Sequence, residues 1–150
     1  MFGEYNIGLF PVVIVKLKGS IQDEEDFNLF INNWESLYHY ESDFMMIFDT
    51  SEIGIPNIKY CYKIATFIKS LKNKNPQYLK RCIIIVKNDI ISNLLHLTFN
   101  LQSPIAPVYL TKEKLTEIYL NFNMNELLEM EEEGIKRKIN IDKVIIPWKF

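Results

Sequence analysis

The stretch FMMIFDTSEIGIPN, residues 44–57, runs from apolar side chains straight into Asp49, Thr50, Ser51 and Glu52. Asp49 stands there either to do chemistry or only to mark where a buried strand meets water, and a serine nucleophile needs a facing base, which is not evident for Ser51. Asn88, Asp89 and Thr111 close two later apolar runs. In an open α/β sheet, loops beyond the carboxyl ends of the strands line the usual ligand crevice. Asp49, Ser51, Asn88 and Asp89, with Thr50 and Thr111 beside them, therefore form the candidate carboxyl-edge loop site. The preferred reading of the same residues is plainer: Asp, Asn, Ser and Thr occur in such turns because they satisfy backbone groups and start helices.

Other chemistries fail on spacing. His39 and His96, the two histidines, lie far apart, whereas zinc requires about four ligands at compatible spacing. No metal or other cofactor is expected. Cys61 and Cys82 show neither a CxxC spacing nor the density of a disulfide scaffold, and read as small buried thiols. EIGIPN offers one glycine where a phosphate cradle needs several. The run KSLKNKNPQYLKR places Lys69, Lys72, Lys74, Lys80 and Arg81 around Tyr78, which suits a solvated helix end better than a phosphate contact. No catalytic residue is assigned, and an enzyme is the least favoured reading.

Charge sets further limits. Seventeen basic and 19 acidic side chains leave a net charge of −2, so no overall field favours nucleic acid or an anionic membrane. No apolar run approaches the roughly 20 residues of a membrane span, and no basic region precedes an apolar one at the N-terminus. A cytoplasmic protein is expected.

Short apolar runs at Pro11–Leu17, Phe44–Asp49, Cys82–Lys87 and Pro107–Thr111 read as strands buried on both faces. Between them, Phe27, Phe30, Ile31, Trp34, Leu37 and Tyr38 repeat at helical spacing behind a start at Asp23 and an acidic first turn. A second helix is expected to begin near Pro56 and to carry Ile58, Cys61, Ala65, Ile68 and Leu71 on one stripe. A third follows Asn88 and Asp89, and a fourth follows Thr111 with Leu115, Ile118, Tyr119 and Phe122. Right-handed crossovers turn that order into an α/β fold: a mostly parallel sheet of four to five strands with four helices, the fifth strand coming from residues 1–10 in a hairpin.

The strand ending at Gly19, the strand into DTSEIGI with the helix after it, RCIIIVKN with its short helix, and APVYLTKEKLTEIY together resemble the STAS domain and its SpoIIAA-like relatives. The likeness covers residues 5–123 as an order of elements and landmarks. It implies a small sheet-and-helix domain used to bind other proteins, with related CRAL-TRIO folds binding lipids or other apolar ligands. Where the family's switch places a second Asp and a phosphorylatable Ser, this chain has Pro56, Asn57 and Ile58, so the phosphorylation switch is missing.

The division expected from this order is a STAS-like α/β domain over 1–124 and an extension over 125–150. The extension passes from acidic residues through Lys136, Arg137 and Lys138 to Ile145, Ile146, Trp148 and Phe150, the candidate partner-binding residues. Folding back as an edge strand is the competing expectation. Tyr5, Tyr60, Tyr62 and Tyr78 also look hard to bury in one small domain, which favours an interface. The functional expectation is a noncatalytic protein-binding or assembly module, with a protein partner or self-association. The alternative is a carrier of a lipid-like apolar ligand, which a large dry cavity would favour.

Overall fold

The computed structural model describes residues 1–55 and 57–148. Pro56, expected in the first turn of the second helix, and Phe150, expected at the partner-binding tip, lie outside the described residues. The chain forms strands β1 (Gly3–Asn6), β2 (Val12–Gly19), β3 (Phe44–Ile53), β4 (Leu79–Ile85), β5 (Val108–Thr111) and β6 (Lys143–Ile145). Helices are α1 (Glu24–Ser36), α2 (Ile58–Leu71), α3 (Asp89–Leu101), α4 (Leu115–Asn121) and α5 (Glu132–Lys138).

The sheet is mixed rather than mostly parallel. β2 through β5 run parallel to their neighbours, while β1 and β6 pair antiparallel at the two edges. Among the described residues it has six strands and is accompanied by five α helices, one strand and one helix beyond the expected number. Both additions come from the extension, where α5 and β6 follow the fourth helix. A three-residue strand and a seven-residue helix are too short to carry a clear periodic signal of their own.

Helix starts follow local chemistry. Asp23 accepts the amide of Asp26 at 2.8 Å, Asn57 that of Lys59 at 3.0 Å, and Asn88 that of Ile91 at 3.1 Å, each pairing an otherwise orphaned first-turn N–H.

Strand order follows chain order without reversal. Right-handed crossovers that always step the same way place their helices on the same face. α1, α2 and α3 accordingly cover one face, where Val13, Val15, Phe48 and Ile84 meet Trp34, Phe67 and Ile91. The opposite face, with Ile14, Met45, Ile47 and Ile83, would then lie open to water. It is covered by Ile118 and Phe122 of the α4 segment and by Leu127, Ile135 and Ile139. The alternation of buried residues along β3, with Met46 and Phe48 on one side and Met45 and Ile47 on the other, is the two-sided burial that makes these strands continuous apolar runs.

The extension thus lies against the sheet. Arg81 on β4 donates to the carbonyls of Leu127 (2.9 Å), Leu128 (3.4 Å) and Met130, and stacks 5.5 Å from the centre of the Tyr109 ring. Thr111 Oγ1 donates to the Asn140 carbonyl at 2.7 Å, and the Asp142 amide donates to the Leu110 carbonyl at 2.8 Å. β6 then pairs Val144 with Tyr109.

Several aromatic and aliphatic side chains depart from their expected places. Tyr60 is buried against Phe27, and the Tyr5 hydroxyl donates to the Phe30 carbonyl at 2.8 Å. Ile58 and Tyr119, expected on core stripes, are exposed.

Candidate functional site

Asp49 is not at a strand end. β3 continues four residues further, to Ile53, because β2 keeps pairing with it beyond a bulge, Lys18 with Glu52 and Gly19 with Ile53. Asp49 is buried within the strand, and its Oδ1 accepts the Ser51 amide at 2.9 Å. Thr50 points to the other face, donating to the Ile85 carbonyl at 2.8 Å and accepting the Lys87 amide at 3.0 Å. Ser51 is exposed. Asn88 caps α3, and Asp89 forms an exposed ion pair with Lys112 at 2.9 Å. Thr111 accepts the Glu113 amide at 3.0 Å in addition to its bond with Asn140. Asp49, Thr50, Asn88 and Thr111 are therefore engaged in holding backbone, and Asp89 in an ion pair, while Ser51 lies exposed. The sheet also lacks a reversal of strand order, the feature that opens a crevice at the carboxyl edge of an α/β sheet.

The basic run is similarly occupied. Lys74 pairs with Glu35 at 3.0 Å and Lys80 with Asp43 at 3.7 Å, while Lys72 donates to Ser103 and Arg81 to the carbonyls near Met130. Among the described residues no group of three or more His, Cys, Asp and Glu side chains is arranged to hold a metal, and no helix is long and apolar enough to cross a membrane. Ile145 is partly buried against the sheet, whereas Ile146 (64% exposed) and Trp148 (44% exposed) follow β6 on the surface.

What the structure adds is a cavity of about 160 Å³ between the sheet and α1–α3. Its floor is made by Phe48, Cys82 and Ile84 and its walls by Trp34, Cys61 and Ile91, with Ser20 and Ile53 near the ends of β2 and β3. Among the described residues no charged side chain borders it. An apolar cavity of about 150 Å³ stays dry and admits benzene. The space therefore suits one ring or a short alkyl segment.

No protein-family model, curated protein or solved structure matches this chain. Its function has to be read from its own geometry.

The Cys82 thiol in the lining is a poor nucleophile by environment. Cys82 is buried, and burial pushes its thiol up to about 12, so it stays protonated at neutral pH. Both Cys61 and Cys82 are free thiols. A second hollow of about 520 Å³ lies near Met1, Glu4, Asn33 and His39, but its lining is largely exposed, so an occupant would remain in water.

Sequence periodicity did not reveal the cavity. Its wall residues are the same apolar stripe positions that read as ordinary core, and a stripe does not tell whether facing layers meet or leave a gap.

Proposed function

We propose that this protein is a noncatalytic binding protein that holds a small apolar molecule between its sheet and α1–α3. The cavity supports the reading: it is bounded mostly by apolar side chains, free of charge among the described residues, and of a size to take a ring or short alkyl group. The STAS-like order of elements read from the sequence, whose related CRAL-TRIO folds bind apolar ligands, fits the same use, as does a cytoplasmic setting. The engaged state of Asp49, Asn88 and Asp89 argues against chemistry at the carboxyl edge.

Titration with toluene, followed by the methyl resonances of Ile64, Ile84 and Ile91, tests this. Saturable shifts at these methyls and a raised Tm are expected, with binding weakened by Ala106→Leu, which enlarges a buried lining residue. No saturable shift up to the solubility of toluene overturns the reading.

A second reading, a protein-interaction or assembly module, is favoured by Ile146 and Trp148 exposed directly after an edge strand. It predicts a self-associated or partner-bound state that Trp148→Ala weakens. Light scattering that finds the same monomer for both proteins, with no partner recovered, removes it.

A further inference from the structure

A rounded space of about 160 Å³ holds one benzene-sized molecule and touches only the side chains around it. The lining of this cavity reaches much further. Leu79, whose Cα pairs with Phe44 at the start of β3, borders it, and so does Ile53 at the end of β3. β3 is ten residues long, about 30 Å at the usual rise of a strand. Across the strands, the lining runs from Val108 on β5 to Gly19 on β2. The space is therefore a narrow channel laid obliquely over the sheet. A ring fills one stretch of it, whereas an unbranched chain follows its whole length.

The two ends of the channel differ. At the carboxyl ends of the strands Gly19 and Asn57 are exposed and Ser20, Ile21 and Ile53 half-buried, so the channel opens to water beside polar side chains. At the amino ends Leu79, Phe99, Pro104 and Ala106 are buried, and the channel closes on apolar groups. Thr50 and Thr98, whose hydroxyls lie along the way, already donate to the carbonyls of Ile85 and Leu94 at 2.8 and 2.9 Å. A polar group carried to the closed end would lose its water without gaining a partner.

We propose that the occupant is an amphiphile with one unbranched alkyl chain and a single polar end group, its chain tip against Leu79 and Ala106 and its polar end at the mouth beside Ser20 and Asn57. The proposal rests on the cavity being the binding site and adds the chemical class and the direction of its occupant. The chain supplies affinity by leaving water, the width of the channel selects against branching, and the end group keeps its water at the mouth.

Straight-chain primary alcohols from butanol to nonanol, titrated calorimetrically into the intact wild-type protein, test the shape. Affinity is expected to rise about fourfold with each methylene through nonanol. The branched isomer trimethylhexanol, and nonanediol with a hydroxyl at each end, are each expected to bind at least about tenfold more weakly than straight-chain nonanol. In the nonanol complex, nuclear Overhauser contacts are expected from the carbinol protons to the Ile53 methyls and from the terminal methyl to those of Ile105. A rise in affinity that stops by pentanol, or equal binding of the two nonanol isomers, overturns the chain and leaves the cavity as a site for a compact molecule. Nonanediol binding as tightly as nonanol, or the reverse pattern of contacts, overturns the direction. Saturable binding of toluene with none of any alcohol overturns this proposal alone, and saturable binding of neither overturns the cavity reading with it.

Discussion

Asp49 Oδ1 accepts the backbone amide of Ser51 at 2.9 Å, inside β3 and four residues short of its end. The carboxylate thus braces β3 where it carries an extra residue, Thr50 and Ser51 standing opposite Leu17 alone between Lys16 and Lys18 of β2. Asp49→Asn keeps an acceptor oxygen and is expected to change stability by less than about 0.5 kcal/mol, whereas Asp49→Ala should cost about 1 kcal/mol. Urea denaturation distinguishes them. Equal losses for both substitutions would show that the charge, not the hydrogen bond, matters.

Asp49 also acts on Tyr119. Burial first, and the Asp49 charge second, push the Tyr119 hydroxyl above its ordinary range. Asp49→Asn should therefore bring the Tyr119 titration down without returning it fully to normal, because the burial contribution remains. The ring Cζ resonance of Tyr119 followed against pH checks this, and an unchanged midpoint would contradict it.

Arg81 ties β4 to the segment around Leu127 through a planar group that reaches several carbonyls at once. Arg81→Ala should destabilise the protein by about 2 kcal/mol, and Arg81→Lys should recover only part of that, since an ammonium cannot reproduce the fork. Chemical denaturation of the two variants measures the difference. Full rescue by lysine would mean that charge alone holds the segment.

Trp34 packs among Phe30, Phe48 and Phe67. Its replacement by alanine should cost about 3 to 5 kcal/mol, the usual consequence of emptying a large buried aromatic site. A loss well under that range would mean that the existing cavity lets the neighbours collapse inward.

His96 predicts a pH dependence. Burial, followed by the nearby Lys143 charge, holds its imidazole below the ordinary value, and Nε2 is shielded without a hydrogen-bond partner among the described residues. The unfolded chain therefore takes up the proton first as pH falls. The stability contribution is fully present above the ordinary histidine pKa of about 6.5 and is lost below it, down through the folded value. His96→Gln should flatten the change in Tm across that window. An unaltered profile would assign the dependence to another group.

Deleting residues 125–150 should uncover Ile14, Met45, Ile47 and Ile83 and leave β5 as an unpaired edge. A truncated protein that aggregates or melts far below the full chain is the expected result. A truncated protein that stays monomeric with an unchanged Tm would return the extension to a role outside the sheet.

The sequence by itself determined the four central strands, the α/β class and the starts of α1 and α3, because these depend on local facts: unbroken apolar runs, helical spacing, and Asp23 or Asn88 beside first-turn amides. Tertiary structure decided the rest. Which face a crossover helix takes depends on the order of strands in space, and only that order shows one face left for α4, Leu127 and Ile135 to cover. The extension's acidic, basic and apolar segments look like a detached arm when read singly, since their pairing with Arg81, Thr111 and Tyr109 joins residues far apart in the chain. Asp49 likewise looks terminal until β2 is placed beside it. The cavity is legible only in three dimensions, because apolar stripes on α1, α2 and α3 specify which sides face the sheet and not how closely they approach it.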